Sequence, residues 1–176
     1  AEREFLSKVL SYATMRQALR VLVVDDDPNV RALLVSLLAR NQMNVVDAAT
    51  GEAAMGLLSR SAFDVGLLDV QLPDHSGLEI LKFAREADLD TEFIVLTGYA
   101  DIETAVEAMR LGAYDFVTKP WKNSALLEII NKAAEKTKLR RENSALKEVI
   151  TRRDGLPQIV GESSEVRDVL SMISRV

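Results

Sequence analysis

Asp25 and Asp26 follow the apolar run RVLVV, Asp69 follows DVGLL, Thr97 follows FIVL and Lys119 follows YDFVT. Brought together, three carboxylates, a hydroxyl and an ammonium carry an excess of negative charge. In a crevice of low dielectric such like charges repel, so the cluster needs a bound cation or a compensating lysine. Hard oxygen ligands suit Mg²⁺, which keeps several waters and takes a few carboxylates together with a phosphate. The chemistry that fits these residue types is Mg²⁺-assisted phosphoryl transfer.

Such a set meets only if the elements carrying it end on one side. Apolar runs of about five residues bounded by turn signals read as strands buried on both faces, and helical patterns between them make the connections parallel crossovers. In an open parallel sheet the ligand crevice lies outside the carboxyl ends of the strands. Strands are expected at Arg20 to Val24, Asn44 to Asp47, Val65 to Leu68, Glu92 to Leu96 and Tyr114 to Thr118. Asp27-Pro28 supplies an N-cap and a first-turn proline for the helix NVRALLVSLLAR. Further helices follow at Gly51 to Arg60, at LEILKFAREA after a loop marked by Pro73, Asp74 and Gly77, and at IETAVEAMRL between a cap at Asp101 and a stop at Gly112. The alternation predicts an α/β fold.

At 176 residues and 48% hydrophobic content the chain can bury one sizeable core with a tail left over. A net charge of −5 argues against binding polyanions or membrane surfaces through this piece itself. The absence of cysteine excludes disulfides, thiolate metal sites and cysteine nucleophiles, and is compatible with a reducing cytoplasm. No apolar stretch approaches the roughly 20 residues that span a bilayer, and AEREFLSKVLSY lacks the features of a signal peptide.

Residues 1–18 form an N-terminal extension with helical spacing of Phe5, Leu6, Val9 and Leu10. From Asn123 to about Ile150 neither Gly nor Pro occurs, which allows one helix of roughly 28 residues and ~40 Å. Its first half offers Leu126, Leu127, Ile129, Ile130 and Ala133 to the sheet. Beyond it Leu139, Asn143, Leu146 and Ile150 recur at coiled-coil intervals, with an asparagine in the seam. After Asp154-Gly155-Leu156-Pro157 the chain restarts, and its last residues form an amphipathic pattern whose apolar face, Val166, Val169, Leu170 and Ile173, is expected to belong to a second, incomplete domain.

The strings VLVVDDDPNVR, VGLLDVQLPDHSGLEIL and FIVLTGYADIETAVEAMRLGAYDFVTKPW resemble, in order and at full length, the receiver domain of bacterial response regulators. The linker followed by IVGESSEVRDVLSMISRV is similar to the entry to the ATPase domain of NtrC-type, sigma-54-dependent activators. The resemblance implies a flavodoxin-like, doubly wound sheet of five parallel strands in the order 2-1-3-4-5 with a long C-terminal helix. It also implies a receiver over 19–136, a linker helix or coiled coil over 137–154, and the start of an ATPase domain over 155–176. Carried over residue by residue, Asp69 matches the phosphoacceptor, and Asp25 and Asp26 the pair that holds Mg²⁺ with the backbone carbonyl of Gln71. Thr97 and Lys119 match the groups that bind the phosphoryl oxygens, with Gly98 leaving open access. Phe116 matches the switch aromatic, and Lys119-Pro120 a cis peptide bond. Leu72 and Trp121 depart from the usual Met and Phe while keeping bulk.

By the same resemblance the protein is cytoplasmic and a cognate sensor histidine kinase donates the phosphate. A homodimer through the fourth helix, fifth strand and fifth helix reads it out, and sigma-54 RNA polymerase and DNA are partners of the whole regulator. His75, the single histidine, reads as a surface loop residue. No GxxxxGK loop occurs, so no ATP hydrolysis is expected of these residues. Two rival readings stand beside this one. A receiver-like dimerisation module that never accepts phosphate is countered by the intact acid pair and Lys119. A phosphatase turning over on Asp69 is countered by Gln71, which cannot donate the proton its general acid must supply.

Overall fold

The computed structural model describes residues 18–98 and 102–153, excepting the side chains of 148–153. The extension before residue 18, the cap at Asp101, the side chain of Ile150 and the segment from residue 154 onward therefore lie outside the described residues.

Five parallel strands form one sheet: β1 (Arg20–Val24), β2 (Asn44–Ala48), β3 (Val65–Asp69), β4 (Glu92–Thr97) and β5 (Asp115–Thr118). Their order is β2-β1-β3-β4-β5, as the resemblance implied. The crossovers are α1 (Pro28–Arg40), α2 (Gly51–Arg60), α3 (Gly77–Glu86) and α4 (Ile102–Arg110), and α5 (Asn123–Arg153) closes the described chain.

Alternation along the strands builds two cores. Val21, Val23, Val65, Leu67, Ile94 and Leu96 point to one face, where Leu34 and Leu38 of α1 and Leu126, Ile130 and Ala133 of α5 cover them. Leu22, Val24, Leu68, Phe93 and Val95 point to the other, under Ala54 and Leu58 of α2, Ile80, Leu81 and Ala84 of α3, and Ala108 of α4. Each such side chain, almost wholly removed from water, contributes about 1.5–3 kcal/mol where it is Val, Leu, Ile or Phe. The central strands β3 and β4 are buried along their whole length, whereas the edge strands β2 and β5 are partly exposed, so burial on both faces holds for the middle of the sheet and not its rims.

Local chemistry sets the helix ends. Asp27 caps α1 by accepting from the Asn29 N–H at 2.8 Å, with Pro28 in the first turn. Ser76 and Glu79 form a reciprocal capping box on α3. α4 ends before Gly112, whose φ of 88° is the left-handed conformation glycine adopts after a helix. α5 keeps touching the sheet beyond residue 136: the Thr137 hydroxyl, fully buried, donates to the Asp64 carbonyl at 2.7 Å, and Arg141 pairs with the Asp64 carboxylate at 2.6 Å. The first compact unit of the chain runs to Arg141.

Candidate functional site

Strand register gathers the polar residues. Val24 pairs with Leu68, so Asp25 and Asp69 emerge side by side, and Asp69 pairs with Leu96, one residue before Thr97. Thr97 in turn pairs with Thr118, and the Lys119 N–H donates to the Thr97 carbonyl at 2.7 Å. The Lys119-Pro120 bond is cis, as expected.

The carboxylates of Asp25, Asp26 and Asp69 each present an oxygen within 4.8 Å of the other two. Asp25 is buried, with one oxygen accepting the Asp27 N–H at 2.9 Å and the other bound to the Lys119 ammonium at 2.6 Å. Asp69 is 7% exposed and lies 3.2 Å from the same ammonium. Asp26 is open to solvent. Burial pushes the Asp69 carboxyl above the usual carboxylate range, and the neighbouring Asp25 charge adds to this; the Lys119 ammonium and the Gln71 N–H only partly offset it. Burial pulls the Lys119 ammonium down, yet its hydrogen bond to Asp25 and the charges of Asp69 and Asp25 outweigh this and hold it above the usual lysine value.

The spacing and the donor set fit a hard divalent cation, because one ion can touch all three oxygens and the exposed Asp26 leaves a path for it. Gln71 sits two residues beyond the end of β3 in a bridge with Ser76. Thr97 is buried at the end of β4, and among the described residues an added Cβ at Gly98 would meet nothing within 4 Å. Phe116 is half-buried on β5 and packs against the core under α2, α3 and α4. Leu72 joins that core, and Trp121 packs on the opposite face. His75 is a loop residue 3.1 Å from Glu79, apart from the acid cluster's three members.

Three contributors escape a reading of sequence alone. Gly77 brings α3 so close to β3 that an added Cβ would lie 2.1 Å from the Asp69 carbonyl oxygen. Asp74 accepts from the N–H groups of Gly51 and Glu52 at 2.8 and 2.9 Å, tying the loop after β3 to the start of α2. Arg31 grips the backbone carbonyls of Asp25 and Asp26 at 2.7 and 3.0 Å. Arg31 carried a visible signal, since a cation near a helix start opposes the helix dipole and demands a partner.

The described residues contain no helix long and apolar enough to cross a membrane. Residues 21–131 match the family model described as the response regulator receiver domain. The response regulator protein PilR of Pseudomonas aeruginosa is 32% identical over 157 residues, which cover 89% of this chain and 33% of PilR. The chain thus spans about a third of the length of that curated relative. Crystalline NtrX of Brucella abortus in complex with ADP matches with a TM-score of 0.69 at 31% identity, over 91% of this chain and 35% of NtrX. The beryllofluoride-activated NtrC4 receiver domain dimer matches with a TM-score of 0.64 at 35% identity, over 67% of this chain and 98% of that one. Register, acid cluster and matched sequence agree: the chain belongs to the response regulator receiver domain family.

Proposed function

We propose that this receiver, acting in the cytoplasm, takes a phosphoryl group onto Asp69 from a phosphohistidine of its cognate sensor histidine kinase, with Asp25, Asp26 and the Gln71 backbone carbonyl holding Mg²⁺ beside it. One observation carries the reading: Asp69 is almost buried, yet it shares one ammonium with Asp25 while a third carboxylate stands open next to both. A carboxylate oxygen of Asp69 attacks phosphorus, an acyl P–O bond forms, and the P–N bond breaks with its electron pair leaving on the imidazole nitrogen, which is then reprotonated. Bound Mg²⁺ supplies positive charge against the incoming phosphoryl oxygens.

Phosphorylation adds about two negative charges and three acceptors at this end of the sheet. Lys119, already 3.2 Å from Asp69, and by the family resemblance the Thr97 hydroxyl would donate to it. Charge-assisted bonds at roughly 1.5–3 kcal/mol each let two donors shift a two-state equilibrium by about two to four decades. Phe116 follows Thr97 in that switch. The readout surface is α4, β5 and α5, where Ile102, Val106 and Met109 stand exposed on α4. Leu139 and Leu146 are also exposed on α5 and suit a homodimeric coiled coil within the linker of residues 137–154. In the whole regulator, residues 155–176 would lead into an ATPase domain that acts with sigma-54 RNA polymerase on DNA, as in NtrC-type activators.

Incubation with a small phosphodonor and Mg²⁺, followed by intact mass over time, tests this. A single, slowly decaying phosphate absent from Asp69→Asn is expected. No phosphate would favour a dimerisation platform, and rapid multiple turnover would favour a phosphatase.

A further inference from the structure

We infer that Arg31 is a positioning residue for the acid pair, setting the geometry in which Asp25 and Asp26 meet a divalent cation; this rests on the Mg²⁺ reading above. Within α1 the only acid near the helix start is the N-cap Asp27, whose carboxylate is engaged with the Asn29 N–H, and no acidic residue follows in the first turn to pair with the Arg31 guanidinium. It is held instead from two other elements. Its Nη1 donates to the backbone carbonyls of Asp25 and Asp26 at 2.7 and 3.0 Å, and its Nε to the Asp47 carboxylate on β2 at 3.1 Å.

The two carbonyls belong to the peptide units from which the acid pair hangs. Fixing them fixes where the two carboxylates start, and Asp47 fixes the guanidinium. The neighbouring Ala48 carbonyl accepts the Asp25 N–H at 3.2 Å, so the β1–α1 loop is tied to β2 through both backbone and side chain. The Arg31 side chain is 18% exposed, and its bond to the Asp25 carbonyl is the partly buried one of the three. A lysine could keep the charge but not the fork, because one ammonium cannot reproduce separate Nε and Nη donors in fixed planar geometry.

Charge and geometry predict opposite signs on removal. A positive charge beside the acid pair repels a second cation, so if charge were all that Arg31 supplied, its loss would tighten Mg²⁺ binding. If position is what it supplies, its loss weakens binding. Calorimetric titration of the whole 176-residue chain with MgCl₂ separates the two. Arg31→Met is expected to raise the Mg²⁺ dissociation constant on the order of 10-fold, the lower end for partners that orient metal ligands. Arg31→Lys is expected to fall between Met and the unsubstituted protein. Circular dichroism establishes that each variant is folded, and if Arg31→Met is not, Arg31→Lys decides alone. Unchanged or tighter binding in folded Arg31→Met, or full affinity in Arg31→Lys, overturns the inference while leaving the metal site intact. Absence of saturable Mg²⁺ binding in the unsubstituted protein overturns the metal reading itself and the inference with it.

Discussion

The two ends of the sheet handle charge in opposite ways. At the carboxyl end three carboxylates gather, two of them on the single ammonium of Lys119, while the nearby Arg31 guanidinium is paired with the Asp47 carboxylate. At the amino end one carboxylate, Glu92, is buried to 1% exposure and meets three cations: Arg85 at 3.4 Å, Lys136 at 3.3 Å and Arg140 at 3.3 Å. Beside it Asp64 takes the Arg20 N–H and the Arg141 guanidinium at 2.8 and 2.6 Å. The amino end is electrostatically complete and fastens α5 to the sheet. The carboxyl end is short of positive charge, and a group that brings some is stabilised there. Both ends are polar and buried, so burial of charge alone does not mark function; an excess of carboxylates over the cations that meet them does.

The largest effect that would sharpen this contrast is at Gly77. In a helix start, glycine to alanine is normally neutral or a gain of up to about 1 kcal/mol. Here the new Cβ would sit 2.1 Å from the Asp69 carbonyl oxygen and 2.9 Å from its carbon, both backbone atoms. Gly77→Ala is expected to lose roughly 3 kcal/mol in urea unfolding, and a gain would show that this close approach is not needed. Next comes Glu92→Gln. Removing one partner of a fully buried pair costs about 3–5 kcal/mol. The cations here are partly exposed and can turn to water, so about 2 kcal/mol is expected. No loss would mean that the amino end is not an anchor.

Asp69→Asn is expected to do the reverse and stabilise the metal-free protein near neutral pH, raising its melting temperature by roughly 2–4 °C. The folded protein binds the Asp69 proton more tightly than the unfolded chain does. The resulting stabilisation is complete below the ordinary carboxylate pKa and is lost as pH rises through the raised one. The advantage of Asp69→Asn should therefore vanish in acid. A destabilised Asp69→Asn at neutral pH would place the two ends in the same class. Smallest is Asp74→Ala. The N–H groups of Glu52 and Gly51 hold the Asp74 carboxyl below its usual range, so its contribution is present above the unfolded pKa and lost as pH falls through the folded one. A slight drop in melting temperature at neutral pH, disappearing in acid, is expected. A drop that persists in acid would assign the effect to the loop's packing instead.

The carboxyl end was legible because strand ends announce themselves: an apolar run stops, a polar residue follows, and parallel topology does the rest. Asp25, Asp69 and Lys119 converge as their positions required, though they lie far apart in the chain. The amino end was not. Lys136, Arg140 and Arg141 sit on α5 among charges that read as a solvated helix face, and Glu92 is one acid at the start of an apolar strand. Their pairing spans 44 residues or more, a distance over which periodicity carries no information. Asp74 hid for a similar reason, since it caps a helix that precedes it in sequence. Gly77 read as loop punctuation, because what it makes room for is visible only in three dimensions.

The most direct measurement is the chemical location of the phosphate. The protein is treated with a small phosphodonor, with Mg²⁺ or with EDTA, and then with borohydride, which reduces an acyl phosphate to the alcohol; peptide mapping finds the reduced residue. Conversion at Asp69, dependent on Mg²⁺ and abolished in Asp26→Asn, is the expected result. Phosphate at another residue, or equal conversion of Asp69 in EDTA, would contradict a carboxyl end built to be completed by a cation.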